Sequence, residues 1–296
     1  MSPPFPALRL TDAFTTSNAV HTETHNIDLV PLTDVALGVH KISNPSVLTH
    51  NIVTAPTHRD GTQAWEAKYP SGSINPSGRI KGGFGFYLAG AEGFKHALQR
   101  TGTREVFMGY EVLFEPGFQW VKGGKLPGIF GGTGDLAYRC TGGRQDERCK
   151  CFNLRLMWRA NGLGELYAYI PLTDTNAARL LAVPNSHQNS DYGISVGRGA
   201  WKFEAGKWVA VGMRVKLNAI GVEDGEVEVY VDGKSVIHAT GLSLRDDPTS
   251  HVKGMHFQTF FGGHTPDWAS PCDQRAWFAS VTGGIVSAPS RGRDEL

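Results

Sequence analysis

Lys125, Arg155, Tyr167 and Tyr169, with Asn153 beside them, are the residues of this sequence that could do chemistry together. They fall in one stretch from Lys125 to Pro171: KLPGIFGG, a cysteine-bearing loop, CFNLRLMWR, the turn ANGLG and ELYAYIPL. An arginine and an asparagine can neutralise a carboxylate through charge-assisted and neutral hydrogen bonds. Such neutralisation is what a uronate needs before the proton on the carbon next to its carboxylate can leave, because the resulting anion is otherwise unstable. A base must then take that proton and an acid must protonate the departing bridging oxygen. Unperturbed lysine and tyrosine both titrate near about 10, so either needs a lowered pKa to act as base. Arg155 and Lys125 together are expected to depress a tyrosine.

Two strands must position these groups. CFNLRLMWR alternates with period two, placing Phe152, Leu154, Leu156 and Trp158 on one face and Asn153, Arg155, Met157 and Arg159 on the other. In the second strand Leu166, Ala168 and Ile170 oppose Tyr167 and Tyr169. Ala160 to Gly164, rich in residues that accept positive φ, closes an antiparallel hairpin that sets Arg155 beside Tyr167 or Tyr169. The glycines of FQWVKGGKLPGIFGG let the backbone approach a ligand and fix Lys125. This segment is not a phosphate loop, since no Ser or Thr follows the lysine and Pro127 obstructs a helix.

The remainder reads as scaffold. The 37 Gly and 16 Pro among 296 residues are scattered, as in many short strands joined by turns. REVFMGYEVLFEP, WVAVGMRVKLNAIG, EVEVYVDGKSVIHAT with its Asp232-Gly233 turn, MHFQTFFGGHTPDWA and AWFASVTGGIV are strands. Only Ala91 to Gln99 reads as helical. Residues 1–35 form an extended arm or edge segment and 286–296 a polar tail, so the chain is one all-β domain, an antiparallel β-sandwich. His187 and Gln188, in the loop-rich stretch after the hairpin, overhang the groove as substrate-binding candidates.

A net charge of +1 argues against bulk capture of nucleic acid or membrane, and no apolar run reaches a membrane span. Cys140, Cys149, Cys151 and Cys272 lack zinc spacing. A disulfide from Cys140 to Cys149 or Cys151 is expected, with a second bridge to Cys272 as an option. That chemistry needs an oxidising compartment. Met1 to Thr16 lacks the apolar core of a signal peptide, and the terminal RDEL is a weak endoplasmic-reticulum signal. The expectation adopted is a secreted monomer with an acidic polysaccharide as partner and no cofactor or metal.

Competing explanations are blander. Strand arginines are mostly surface groups and strand tyrosines mostly packing residues. His40, His58, His256 and His264 are taken as structural or surface histidines, and His187 is the spare base. Glu111 and Glu115, four apart on one strand, are too far separated for a retaining glycosidase pair.

KLPGIFGG, CFNLRLMWR, GELYAYIP, GRGAWKF and FQTFFGGH, in this order, resemble polysaccharide lyase family 14, which includes alginate and glucuronan lyases. The resemblance spans roughly Phe107 to Phe278. It implies a β-jelly roll that cleaves uronate polymers by β-elimination without a required metal. It further implies that Lys125 stands for the family's essential lysine, Arg155 for its arginine, and Tyr167 and Tyr169 for its paired tyrosines. Asn153 departs from the pattern, because relatives carry serine there; its amide can still donate to a carboxylate. The alternative from another class is a carbohydrate-binding jelly roll that kept the groove and lost turnover.

Overall fold

Period-two segments dominate the chain, and in a computed structural model they assemble into two facing sheets. The structure describes residues 4–24, 26–44, 48–58, 61–189 and 192–287. The chain runs through β1 (Leu10–Thr15), helix α1 (Asn18–Glu23), β2 (Ile27–Leu29), β3 (Val39–His40), β4 (Asn51–Thr54), β5 (Gln63–Tyr69) and β6 (Phe84–Leu88). Helix α2 (Glu92–Leu98) precedes β7 (Glu105–Phe114) and β8 (Gly123–Gly132). A loop leads to β9 (Cys151–Arg159), which folds back as β10 (Leu163–Tyr169). After helix α3 (Asp174–Leu181) come β11 (His187–Gln188), β12 (Ile194–Lys202), β13 (Trp208–Lys216), β14 (Gly225–Val231), β15 (Lys234–Leu242), β16 (His251–Phe261) and β17 (Gln274–Val286).

Among the described residues one sheet has the order β15-β14-β13-β7-β17-β1-β2, with β5 and then β4 attached at β17. The other runs β11-β12-β10-β9-β8-β16-β6-β3. This is the expected jelly-roll sandwich. Its core forms where the apolar faces meet: Val106, Met108, Tyr110, Val112 and Phe114 of β7 against Phe152, Leu154, Leu156 and Trp158 of β9. Residues 1–35, expected as an arm or edge, contribute β1, which pairs with β17, and the short parallel strand β2. Of the expected tail, residues 288–296 lie outside the described residues. Helices α1 and α3 were not expected. Each opens on a hydroxyl cap, Ser17 accepting from Val20 N and Thr173 from Asn176 N. Among the described residues no helix is long and apolar enough to cross a membrane.

The feature that decides where Lys125 points is a bulge in β8. Lys125 pairs with Met157 and Gly128 with Arg155, so three steps on β8 oppose two on β9. Without the extra residue, alternation from the buried Ile129 would turn Lys125 into the sandwich. With it, Leu126 enters the core and Lys125 joins the polar face. Pro127 sits inside the bulge, where a missing N–H costs no ladder bond. The bulge carbonyls are taken up by side chains: Arg155 Nε donates to Leu126 O at 2.8 Å and Tyr110 Oη to Pro127 O at 3.2 Å. Gly128 is required, since a Cβ there would lie 1.7 Å from Leu154 O.

Candidate active site

Register lays the candidate residues in a line across the outer face of the second sheet. His187 pairs with Ser195, Ser195 with Tyr167, Tyr167 with Arg155, Arg155 with Gly128, Gly128 with His256, His256 with Tyr87, and Tyr87 with His40. Side chains in register share a face, so this row is a track perpendicular to the strands. Asn153 and Tyr169 form the neighbouring pair on one flank, and Met157 pairs with both Lys125 and Glu165 on the other. Gln188 is off the row. It pairs with Ile194, whose side chain is in the core, and is exposed at the sheet edge.

The centre is unusual in its charge. Arg155 is 3% exposed and spends its donors on neutral partners: Leu126 O, Gln258 O and Oε1, and His256 Nδ1 at 3.3 Å. The Lys125 ammonium lies 3.0 Å from Met157 Sδ, 3.6 Å from the Tyr167 ring centroid and 5.2 Å from that of Tyr169. Buried Arg148 donates to the carbonyls of Arg144 and Tyr192 and sits 5.4 Å from the Tyr169 ring. No carboxylate pairs with any of these three cations among the described residues. The carboxylate here among the described residues, Glu165, is fully buried and already committed to Arg159 at 2.5 Å, Arg198 at 2.7 Å and Ser195 Oγ at 2.7 Å. Uncompensated buried charge is costly, and a bound anion would relieve it.

Protonation follows from this crowding. Burial, with the Arg155 and Arg159 guanidiniums beside it, pushes Lys125 well below the ordinary lysine range against the pull of Glu165. Burial pushes both phenols up; Arg159 opposes it at Tyr167, and Arg155 and Arg148 oppose it at Tyr169. The sequence-based expectation that cations would depress a tyrosine is therefore reversed, because desolvation of the phenols outweighs the cations. Glu165 remains below the usual carboxylate range: burial raises it, and its three donors more than offset that.

His256 was overlooked in the sequence because a lone histidine on a strand is usually structural. It is 5% exposed, stacks on Tyr87 at 4.2 Å between centroids, and accepts at Nδ1 from Asn153 Nδ2 at 2.9 Å as well as from Arg155. Burial and the nearby Arg155 and Lys125 hold it well below the ordinary histidine range, so it is neutral with its proton on Nε2. Asn153 thus spends one N–H on His256, leaving Oδ1 buried and unpartnered, as is Arg159 Nε. His187, at the far end of the row, is exposed and lowered by its partial burial and by Arg198. Glu111 on β7 and Glu115 just after it belong to the other sheet's side, engaged with His58 and the backbone of Arg275.

One disulfide, Cys140–Cys151, ties the loop after β8 to the first residue of β9. Cys149 and Cys272 are free thiols, so the optional second bridge is not made. Among the described residues no cluster of His, Cys, Asp and Glu stands close enough to hold a metal ion.

A family model described as polysaccharide lyase 14 matches residues 57–281. The chain is similar to the crystal structure of the marine PL-14 alginate lyase from Aplysia kurodai at 31% identity, with a TM-score of 0.71 over 86% of this chain and 96% of that one. An alginate lyase from Chlorella virus shares the fold at 21% identity and a TM-score of 0.63, covering 85% of this chain and 93% of that one. So does an endo-β-1,4-glucuronan lyase from the fungus Trichoderma reesei, at 12% identity and a TM-score of 0.50, over 84% and 92%. No curated protein matches the chain.

Proposed function

Because the chain belongs to the polysaccharide lyase 14 family and is a polysaccharide lyase, we propose that it cleaves a uronic-acid polymer, polymannuronate or glucuronan, by β-elimination. The observation that carries this is the pair of basic groups, Arg155 and Lys125, on the polar face with no carboxylate among the described residues paired to either. A substrate carboxylate at Arg155 supplies the missing anion. Asn153 lies beside it with an N–H and an orphan oxygen for a neighbouring hydroxyl.

With the carboxylate neutralised, Lys125 in its neutral form takes the proton from C5. The C5–H electron pair moves into the carboxylate-stabilised anion, then forms the C4–C5 double bond as the C4–O4 bond breaks. The departing O4 takes a proton from Tyr167, which burial keeps protonated and whose ring lies nearest Lys125. The lowered lysine and raised phenol are the opposed shifts that acid–base work at neutral pH needs. A binding module would want the cations but has no use for a lysine held toward neutrality.

Base and acid stand on one sheet face within a few ångströms, which favours removal of H5 and O4 from the same side of the ring. Mannuronate and glucuronate present them so; guluronate presents them on opposite sides. The Cys140–Cys151 bridge supports an oxidising compartment, hence a secreted protein, and one chain supplies the whole row. Growth of ultraviolet absorbance from the unsaturated uronate product tests the assignment.

A further inference from the structure

The register row does not stop at the reacting centre. From Arg155 it continues through Gly128, His256 and Tyr87 to His40, four strand steps of about 4.8 Å, or roughly 19 Å. At that rim Tyr138, from the loop after β8, stands edge-on to Tyr87 with centroids 4.8 Å apart. His40 Nδ1–H donates to Gly38 O at 2.9 Å, so its Nε2 accepts from the Tyr138 hydroxyl at 3.0 Å. The Lys41 ammonium lies 4.4 Å from the Tyr138 ring centroid. His40 and Tyr138 also line a cavity of about 380 Å³ with Lys95, His251 and Lys253.

The charge at this rim is lopsided. Glu92 is engaged by Lys95 and His96. Among the described residues no carboxylate forms an ion pair with Lys41 or with half-buried Lys253, which feels only Asp135 at longer range. Two lysines in no ion pair with a described carboxylate, with Asp135 acting on Lys253 and Tyr138 only at longer range, beside an aromatic face at the end of a polar track that starts from Arg155, make a site for an anionic ring.

Resting on the lyase reading above, we propose that the Lys41–Tyr138–Lys253 rim is a distal subsite that binds the carboxylate and ring of a uronate unit several sugars away from the bond being cleaved. Its work is to hold long chains in register on the row. A trisaccharide bound across Arg155 is too short to reach it.

The test is the double change Lys41→Gln/Lys253→Gln, assayed on polymannuronate or glucuronan and on the corresponding trisaccharide. The expected result is a KM for polymer raised about tenfold with kcat within twofold, trisaccharide constants unchanged, and a flatter salt dependence of the polymer KM. An unchanged polymer KM, or an equal loss on trisaccharide and polymer, overturns the proposal. Retardation by the polymers in affinity electrophoresis, with Lys125→Met as the background, reads the rim without turnover. Weaker retardation after the double change supports the rim even if the wild-type chain cleaves none of these polymers, which would sink the lyase reading alone; equal retardation sinks the rim.

Discussion

The ammonium of Lys125 sits 3.6 Å from the ring centroid of Tyr167, with no carboxylate among the described residues paired to it. A cation over a ring face is attracted to it, but far less than to a carboxylate, so the lysine stays close to losing its proton. The β8 bulge that places it there also turns Leu126 O toward Arg155, so the base and the carboxylate-binding group are positioned by one irregularity.

Replacing Lys125 by Met should abolish turnover, with kcat/KM down at least about 1000-fold, and yet stabilise the fold. Folding lowers the lysine pKa, so the unfolded chain binds more protons there. Wild-type stability must then rise with pH between the lowered value and the ordinary value of about 10.4. The advantage of Lys125→Met in thermal melts should be largest on the acid side of that window and shrink as pH climbs.

Arg155→Lys should lose at least about 100-fold in kcat/KM, because an ammonium cannot reproduce the guanidinium fork. It should also cost about 1–3 kcal/mol in denaturant melts, since Leu126 O or Gln258 O is left unpaired in a buried bulge.

The pH profile of kcat/KM should show a rising limb from deprotonation of Lys125 to a plateau and, because burial raises Tyr167 and Tyr169, no fall from either phenol in the ordinary tyrosine range; a fall there belongs to Arg155, which burial lowers to about 10. Tyr167→Phe should keep the limb and lower the plateau by about 100-fold or more. A falling limb near the ordinary tyrosine value that is present in wild type and lost in Tyr167→Phe would contradict the phenol assignment.

Removing the Cys140–Cys151 bridge, by Cys140→Ser with Cys151→Ser, should cost about 3 kcal/mol for a loop of this length. Activity should fall as well, because the loop carries Arg148 against Tyr169. Cys149→Ser and Cys272→Ser should leave both melting and turnover unchanged.

Strict alternation made the β9–β10 hairpin legible in the sequence, and with it the shared face of Asn153, Arg155, Tyr167 and Tyr169. Lys125 was harder, because a simple period-two count through Pro127 gives the wrong face. The bulge is signalled only by a proline amid glycines in a central strand. His256, Glu165, Arg148 and Arg159 were missed as site residues for a different reason. His256 meets Asn153 and Arg155 from a strand 103 and 101 residues away, Glu165 takes Ser195 and Arg198 from β12 besides Arg159 of its own hairpin, and Arg148 reaches Tyr192 and Tyr169 from a loop; a period-two count along one strand records none of these contacts. The direction of the tyrosine shifts was wrong because sequence shows neighbours but not the depth of burial. Helix α3 had a legible start in Thr173 to Asn176, masked by the loop-like residues after Leu181.

The most direct measurement is ultraviolet absorbance of the unsaturated uronate formed when wild type and Lys125→Met are each given polymannuronate, glucuronan and polyguluronate. Absorbance should rise with wild type on at least one of the first two, rise little on polyguluronate, and stay flat with Lys125→Met throughout. A flat trace with wild type on all three polymers, or an undiminished rate with Lys125→Met, would contradict lysine-initiated elimination at Arg155.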